Sequence, residues 1–284
     1  MRCAWKELLD ILPVWLRQSV DRQGRDTLQE LRMRRNQPPE LITATGSVLL
    51  TRVVTGDDLL FCVNTASRYS PWTAGTASQG YITAPGGHRI GLCGEAVIQQ
   101  GVMTGIRSPT SLCIRVARDF PGIGAQAAGL KGSILILGKP GSGKTTLLRD
   151  LIRQISDRGP GSVAVVDERG ELFPVCRQEI CFPTRRRTDV LTGCGKAQGI
   201  DAVLRTMGPG TIAVDEITAE ADCEALTRAG WCGVRLIATA HASDTRDLKA
   251  RPVYRRLLEN GLFENILVLQ PDKSWKLERM CQYA

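Results

Sequence analysis

The second half of the chain alternates short apolar runs with longer stretches that are apolar at every third or fourth position. Short apolar runs bounded by turn or acidic residues predict strands, whereas the longer spacing places apolar side chains on one helix face. The predicted strands are Ile134–Leu137, Ser162–Val166, Thr211–Val214, Val234–Thr239 and Asn265–Gln270. The predicted helices are 145–157, Ala197–Met207, Glu220–Ala229 and Asp247–Asn260. This alternation predicts βαβ units in a mainly parallel sheet, with ligands outside the carboxyl ends of the strands.

The first half of the chain has a different pattern, with short β-like segments separated by turn residues. Those segments are Glu30–Arg34, Leu41–Thr45, Ser47–Val53, Gly80–Ala84, Arg89–Ile98 and Leu112–Ala117. A helix is predicted near Asp57–Ser67, and an amphipathic helix over 4–20 is kinked or broken at Pro13. We therefore expect an N-terminal α+β domain at 1–125 and an α/β domain at 126–284.

Composition and charge narrow the class of protein. The 284 residues are 43% hydrophobic and 23% charged, as in a globular protein with a core. We expect a cytoplasmic location, because no apolar run approaches the roughly 18 residues of a membrane helix and Lys6, Glu7 and Asp10 interrupt any signal peptide.

The net charge of +8 is shared evenly by the two halves, so no nucleic acid is expected as a partner. The ten cysteines contain no C-x-x-C pair and are expected to be reduced core residues.

The most specific motif lies between the strand at 134–137 and the helix at 145–157. It matches the P-loop pattern G-x-x-x-x-G-K-[ST] at every fixed position, with the required strand and helix on either side. Its residues are Gly138, Lys139, Pro140, Gly141, Ser142, Gly143, Lys144 and Thr145, followed by Thr146. Glycines let backbone N–H groups point at phosphate oxygens, and the helix N-terminus adds partial positive charge. The motif predicts binding of a nucleoside triphosphate, with Lys144 at the β- and γ-phosphates and Thr145 on Mg²⁺.

Acidic residues and a histidine follow other predicted strands. Asp215 and Glu216 end an apolar strand, as in the Walker B pattern, where Asp215 would support Mg²⁺ and Glu216 would orient the attacking water. Asp167 and Glu168 end another strand and could support the metal or the water, or cap the next helix. His241 follows a further strand, where it could sense the γ-phosphate.

One glycine-rich stretch in the first half has two open interpretations. His88 and Arg89 lie between Gly86-Gly87 and Gly91. This stretch is either a simple hairpin or a segment that presents a cation to the nucleotide of another subunit. The densest basic cluster, Arg185-Arg186-Arg187, is interpreted as a solvated turn.

Together these motifs resemble one family over nearly the whole chain. The segments that carry the resemblance are Gly80–Thr83, Gly86–Gly94, Ile114–Arg118, the P-loop through Asp150, Val166–Arg169, Arg187–Leu191, Val214–Ile217 and Thr239–His241. The chain resembles the stage III sporulation AA family, cytoplasmic ATPases of endospore-forming bacteria that are related to the type II and type IV secretion ATPases. It departs from the family pattern at Thr218-Ala219, where Gly-Arg is usual, at Gly170, where Ser is usual, and at Cys113, where Asn often stands.

The resemblance implies a RecA-like P-loop ATPase domain with a smaller N-terminal α+β domain, assembled as a homo-oligomeric, hexameric ring. Nucleotide would lie between subunits, with Arg89, Arg115 and Arg118 as candidates to act on it in trans. Asp167-Glu168-Arg169 would be the acidic box of the secretion ATPases, and His241 their His box. The family also implies membrane-protein partners in the stage III channel complex, with the protein peripheral on the mother-cell side.

The predicted function is therefore Mg²⁺-dependent ATP hydrolysis that energises a secretion-like channel between mother cell and forespore. The predicted catalytic residues are Glu216, Lys144, His241, Asp167 and Glu168. One alternative is a nucleotide-gated scaffold with little turnover, which the missing Arg after Ile217 favours and the intact Glu216 opposes. The other is a RecA-like nucleic-acid motor, which the even charge distribution opposes. No N-K-x-D motif is present, so a GTPase is not favoured.

Overall fold

A computed structural model describes residues 1–67, 80–176 and 179–279 and divides the chain into two compact units. The first unit consists of Met1–Asp119 with Pro174–Phe182, and the second of Phe120–Phe173 with Pro183–Ala284. The sequence predicts a single boundary after residue 125, whereas the chain passes between units three times. The first crossing comes before the predicted boundary because the Asp150 carboxylate accepts the N–H groups of Gly122 (2.9 Å) and Gly124 (2.8 Å), which holds this connection within the second unit.

The helices and strands of the described residues are numbered here in chain order. The helices are α1 (Trp5–Asp10), α2 (Val14–Gln23), α3 (Gly56–Ser67), α4 (Lys144–Arg158), α5 (Lys196–Met207), α6 (Glu220–Trp231), α7 (Thr245–Ala250) and α8 (Pro252–Glu259). The strands are β1 (Leu28–Arg34), β2 (Glu40–Thr43), β3 (Gly46–Leu49), β4 (Tyr81–Thr83), β5 (Arg89–Gln99), β6 (Val102–Arg115), β7 (Ile134–Leu137), β8 (Val163–Asp167), β9 (Val175–Cys176), β10 (Glu179–Ile180), β11 (Thr188–Thr192), β12 (Thr211–Val214), β13 (Arg235–Ala240), β14 (Asn265–Leu269) and β15 (Trp275–Arg279). None of these helices is long and apolar enough to cross a bilayer.

The first unit is built on an antiparallel sheet with the strand order β3-β2-β1-β6-β5-β4. Leu8 of α1 and Leu16 of α2 share one buried cluster with Leu31 of β1 and Ile114 of β6. The break predicted at Pro13 is confirmed, because proline lacks an N–H group and disfavours a helical conformation in the residue before it. Apolar packing of the two short helices on the sheet thus forms the core of this unit.

The β5–β6 hairpin is longer than the sequence predicts. Strand β6 has 14 residues and begins at Val102, although only its last part was predicted. The pairing register shifts between Cys93 and Glu95, and a Cβ on Gly94 would lie 2.9 Å from the backbone of Pro109. Glycine and proline therefore mark a bulge within paired strands, where the sequence pattern suggests turns.

The second unit contains a seven-stranded sheet with the order β11-β8-β12-β13-β7-β14-β15. All neighbours are parallel except β15, which pairs antiparallel with β14 at the edge. Strands β7, β8 and β12 are buried at every position, as expected for parallel strands covered on both faces. Strand β13 separates β7 from β12, so the carboxyl ends of the P-loop strand and the Asp215 strand have the end of β13 between them.

Three details of the second unit differ from the predicted elements. The helix predicted at Asp247–Asn260 is two helices, α7 and α8, because Pro252 begins the second one and has no N–H for a continuous helix. Strand β11 was not predicted, because only two of its five residues are apolar and it directly follows Arg185-Arg186-Arg187. Strand β15 was not predicted either, because charged residues alternate with its apolar ones at an exposed edge.

Candidate active site

The loop between β7 and α4 has the backbone of a phosphate-binding turn. Gly141 and Gly143 have φ values of 72° and 103°, in the left-handed region that glycine adopts without steric cost. A Cβ on Gly138 would lie 2.4 Å from Ser142 Oγ and 3.2 Å from Leu269 Cβ, so a larger residue there would displace the Ser142 side chain. The Ser142 hydroxyl is buried and has no hydrogen-bond partner within the described part of the chain. The loop thus ends at the N-terminus of α4 with one buried hydroxyl left unpaired.

Lys144, the first residue of α4, points back under this loop. Its Nζ donates to Gly138 O (2.9 Å), Lys139 O (3.1 Å) and Nδ1 of His241 (2.9 Å). Burial lowers the pKa of Lys144, and the carboxylates of Asp215 and Glu216 oppose this effect. In these contacts, the buried ammonium group of Lys144 donates only to neutral acceptors. An anionic ligand at the loop would stabilise its positive charge.

A second contact joins the loop to the end of β12. Thr145 Oγ1 donates to Asp215 Oδ2 at 2.7 Å, and Thr239 Oγ1 donates to Asp215 Oδ1 at 2.5 Å. Both oxygens of this carboxylate are therefore oriented by hydroxyl groups. The parallel order β12-β13-β7 explains the meeting, because the three strands end at one edge of the sheet.

Glu216 is held by contacts of both its backbone and its side chain. Its φ of 55° is in the left-handed region, which costs a non-glycine residue about 1 kcal/mol, and its N–H donates to Thr239 Oγ1 at 2.7 Å. Its carboxylate accepts from Nε2 of His241 (3.0 Å) and from Nη1 of Arg169 (3.2 Å). Because an ammonium only donates, Nδ1 of His241 accepts from Lys144 and the ring proton lies on Nε2. His241 thereby links the P-loop lysine to Glu216.

The hydrogen bonds of Asp167 and Glu168 are made to groups other than Lys144, Asp215, Glu216 and His241. The Asp167 carboxylate accepts three backbone N–H groups, from Glu171 (2.9 Å), Leu172 (3.0 Å) and Phe173 (2.8 Å). Burial raises the pKa of Asp167 to about 6, and Asp215 adds to the rise, whereas the hydrogen bonds from Phe173 and Leu172 oppose it. Both oxygens of Asp167 thus hold the turn after β8.

Glu168 is ion-paired with a buried lysine. Its partner is Lys196 at the start of α5, whose Nζ also lies 3.8 Å from Asp222. Asp222 in turn accepts the N–H groups of Thr218 (3.1 Å) and Ala219 (3.1 Å). The pair therefore joins the turn after β8 to the loop that follows Glu216.

Sequence reasoning missed two residues at this edge of the sheet. Thr239 contacts both Asp215 and Glu216, and its place in the strand that ends just before His241 was an available signal. Lys273, in the turn between β14 and β15, donates to Gly141 O at 2.9 Å. No local pattern marks Lys273, because it meets the loop from 132 residues away along the chain.

The three candidate trans arginines and His88 lie in the first unit. Arg118 donates to Arg25 O (2.9 Å) and Leu28 O, and Arg89 stacks on the Tyr81 ring at 3.8 Å. Arg115 is 65% exposed and lies 3.7 Å from Glu30, so it is the most accessible of the three.

His88 is fully buried against the backbone of its own unit. Its Nε2 donates to Ala4 O at 2.8 Å, and its Nδ1 accepts from Ala117 N at 3.1 Å. Both ring nitrogens are therefore occupied by backbone groups. Within its unit, this histidine is a bridge between the start of the chain and the end of β6.

The fold and these contacts define a protein with a RecA-like P-loop fold, and solved structures agree. The ATPase DotB of Legionella pneumophila is similar with a TM-score of 0.54 at 17% identity, over 94% of this chain and 80% of that one. The pilus retraction motor PilT is similar with a TM-score of 0.58 at 15% identity, over 91% of this chain and 80% of that one. The predicted fold class, a RecA-like P-loop domain with a smaller N-terminal domain, is confirmed.

The chain belongs to the family described as sporulation stage III, protein AA, whose model matches residues 4–277. It is 35% identical over 283 residues to stage III sporulation protein AA of Bacillus subtilis, covering 94% of this chain and 91% of that protein. The resemblance inferred from the motifs is thereby confirmed.

Proposed function

We propose that this protein is a Mg²⁺-dependent ATPase that energises a secretion-like channel between mother cell and forespore during sporulation. The observation that carries the proposal is the 2.7 Å contact between Thr145 and Asp215, which brings together the end of the P-loop and the acidic end of β12. In P-loop enzymes these two residue types hold Mg²⁺. Family membership supports the biological setting.

The described residues fit Mg²⁺ and a triphosphate. Thr145 and Asp215 offer the hard oxygen ligands that Mg²⁺ prefers, and one or two such groups suffice when phosphates and water complete the octahedron. The unpaired Ser142 hydroxyl, the cationic Lys144 and the helix N-terminus suit phosphate oxygens. When bound, Mg²⁺ would neutralise charge on the β- and γ-phosphates.

The remaining roles follow from the contacts of Glu216 and His241. Glu216 would orient and polarise the attacking water, with Arg169 and His241 keeping its carboxylate aimed. His241 would respond to the γ-phosphate, because phosphate would compete with its Nδ1 for the Lys144 ammonium. Asp167 and Glu168 would act indirectly, by holding the turn that carries Arg169.

The assembly we propose follows from the family resemblance. The protein would form a homo-oligomeric, hexameric ring with nucleotide between subunits, and Arg115 is our preferred trans arginine because it is the most exposed candidate. Its partners would be membrane proteins of the stage III complex on the mother-cell side. We propose no nucleic-acid partner.

The test is steady-state ATP hydrolysis with Mg²⁺ by the purified protein and by two site variants. We expect Lys144→Ala to lose ATP binding, and Glu216→Gln to bind ATP but to turn over about 100-fold more slowly or worse. Light scattering with ATP measures assembly in each sample. The controls are Lys131→Ala, at the amino end of β7, and Glu220→Gln, at the start of α6, which should keep the parent rate.

Two results would contradict the proposal. ATP-dependent assembly with no hydrolysis above the Glu216→Gln level, even with stage III membrane partners added, would favour the scaffold. Turnover that DNA stimulates, with salt-sensitive DNA binding, would favour a nucleic-acid motor.

A further inference from the structure

A single buried hydroxyl contacts both acidic residues at the end of β12. Thr239 is fully buried in β13, the strand between β7 and β12. Its Oγ1 lies 2.5 Å from Asp215 Oδ1 and 2.7 Å from the backbone N of Glu216. An ionised carboxylate only accepts and an amide N–H only donates, so the hydroxyl donates to Asp215 and accepts from Glu216. One hydroxyl group therefore makes hydrogen bonds to two residues whose proposed roles differ.

The two contacts constrain different properties of the acids. At Asp215, the hydroxyl occupies Oδ1 and leaves Oδ2 turned to Thr145, which sets the rotation of the carboxylate. At Glu216, it holds the N–H of a residue with φ of 55°, the conformation from which the side chain reaches His241 and Arg169. A partner that holds a metal ligand in this way typically matters nearly as much as the ligand.

We infer that Thr239 is a positioning residue that orients Asp215 for the metal and Glu216 for the water through one hydroxyl. This inference rests on the proposed function. His241 lies two residues further along the same backbone, so a shift of β13 would move both acids and the histidine together. The end of β13 is thus the element that couples metal support, water positioning and the Lys144 contact.

The first measurement needs no nucleotide. In the unliganded protein we expect hydrogen–deuterium exchange at the Glu216 amide to be about tenfold faster in Thr239→Val than in the parent, because valine has the same shape but cannot accept. Thr239→Ser should restore slow exchange. The matched control is Thr211→Val, a buried threonine at the opposite end of β12. If the valine variant does not fold, Thr239→Ala gives the same comparison.

The second measurement is Mn²⁺ binding in the presence of ADP, followed by electron paramagnetic resonance. We expect Thr239→Val to weaken Mn²⁺ binding about tenfold or more, with ADP affinity in EDTA unchanged and with Thr239→Ser near the parent. Turnover should fall further than metal affinity explains, because Glu216 is displaced as well.

The outcomes separate the inference from the proposed function. Suppose that the parent binds ADP and Mn²⁺, and that Thr239→Val differs from it by less than about twofold in both metal affinity and exchange of the Glu216 amide. This result would overturn the role of Thr239 and leave the ATPase proposal standing. A parent protein that binds no Mn²⁺ in the presence of ADP would overturn both.

Discussion

At the scale of single residues, the chain places several polar groups where burial forces a specific contact. Thr239, Asp167 and His88 are each buried, and each is satisfied mainly by backbone groups or by one other side chain. Buried polar groups that lose such partners cost about 1–3 kcal/mol each. The partners of these three residues therefore depend on the folded geometry, which the neighbouring residues in the sequence do not reveal.

His88 predicts a pH dependence of stability. Burial lowers its pKa below the ordinary 6.5, although the Ala4 carbonyl and Glu7 oppose this effect. The unfolded chain therefore binds more protons at this histidine than the folded chain, and its contribution to stability is lost as the pH falls below about 6.5. Protonation would also break the Ala117 hydrogen bond.

The measurement is urea unfolding between pH 7.5 and 5 for the parent and His88→Gln. We expect His88→Gln to be less stable at pH 7.5 but to lose less stability on acidification. The difference between variants matters more than the raw slope, because the raised pKa of Asp167 has the opposite effect between about pH 6 and 3.8. Equal slopes for the parent and His88→Gln would contradict the prediction.

At the scale of elements, α4 begins at the P-loop and also hydrogen-bonds to several connecting segments of the chain. Its buried charged residues hold the backbone beside each place where the chain passes between units. Asp150 accepts from Gly122 and Gly124, Arg149 donates to Glu171 O (2.7 Å) and Leu172 O (2.5 Å), and Arg153 donates to Pro183 O (2.8 Å). The helix that begins at the P-loop thus hydrogen-bonds to the chain beside all three connections.

Asp150→Ala should therefore be strongly destabilising. It leaves two backbone N–H groups without their acceptor and removes the carboxylate 3.9 Å from the buried Arg153, for an expected loss of about 3 kcal/mol. The control is Asp157→Ala on the same helix, whose pair with Arg185 at 3.0 Å is half-exposed and should be worth less than about 1 kcal/mol. Chemical denaturation measures both, and similar losses for the two variants would refute this account of α4.

At the scale of the whole molecule, the chain leaves the second unit at Pro174 and returns to it after Phe182. This segment, with β9 and β10, belongs to the first unit although it lies within the sequence of the second. Cys181 N donates to Pro174 O at 2.8 Å, and a Cβ on Gly87 would lie 3.2 Å from Cys181 Cβ. The segment therefore packs against the turn at Pro85–Gly87.

Replacing residues 175–181 with a short glycine–serine linker should loosen that turn. We expect faster hydrogen–deuterium exchange in peptides covering 81–92, while peptides containing β7 keep their protection, because their strand pairing is untouched. The control is the same replacement at 98–103, the tip of the β5–β6 hairpin, where Ile98 and Val102 are exposed. Unchanged exchange at 81–92 would show that the excursion does not support the first unit.

The elements of the second unit and the P-loop motif were predictable because their signals are contiguous along the chain. Burial on both faces makes β7, β8 and β12 continuous apolar runs, and the P-loop needs its glycines and Lys144 within eight neighbouring residues. Bulged pairing in the β5–β6 hairpin has no such signal, since its Gly and Pro have the composition of turns. The helix pair α7 and α8 shows that one proline outweighs a continuous periodic pattern.

The P-loop, the acidic strand ends and the family were therefore predictable from local spacing and residue type alone. Which of these groups meet depends on the three-dimensional arrangement of the strands. The strand order puts β13 between β7 and β12, so Lys144 reaches His241 from 97 residues away and Thr239 reaches Asp215 from 24. Such contacts depend on sheet topology and on the burial of whole strands, and no local pattern encodes them.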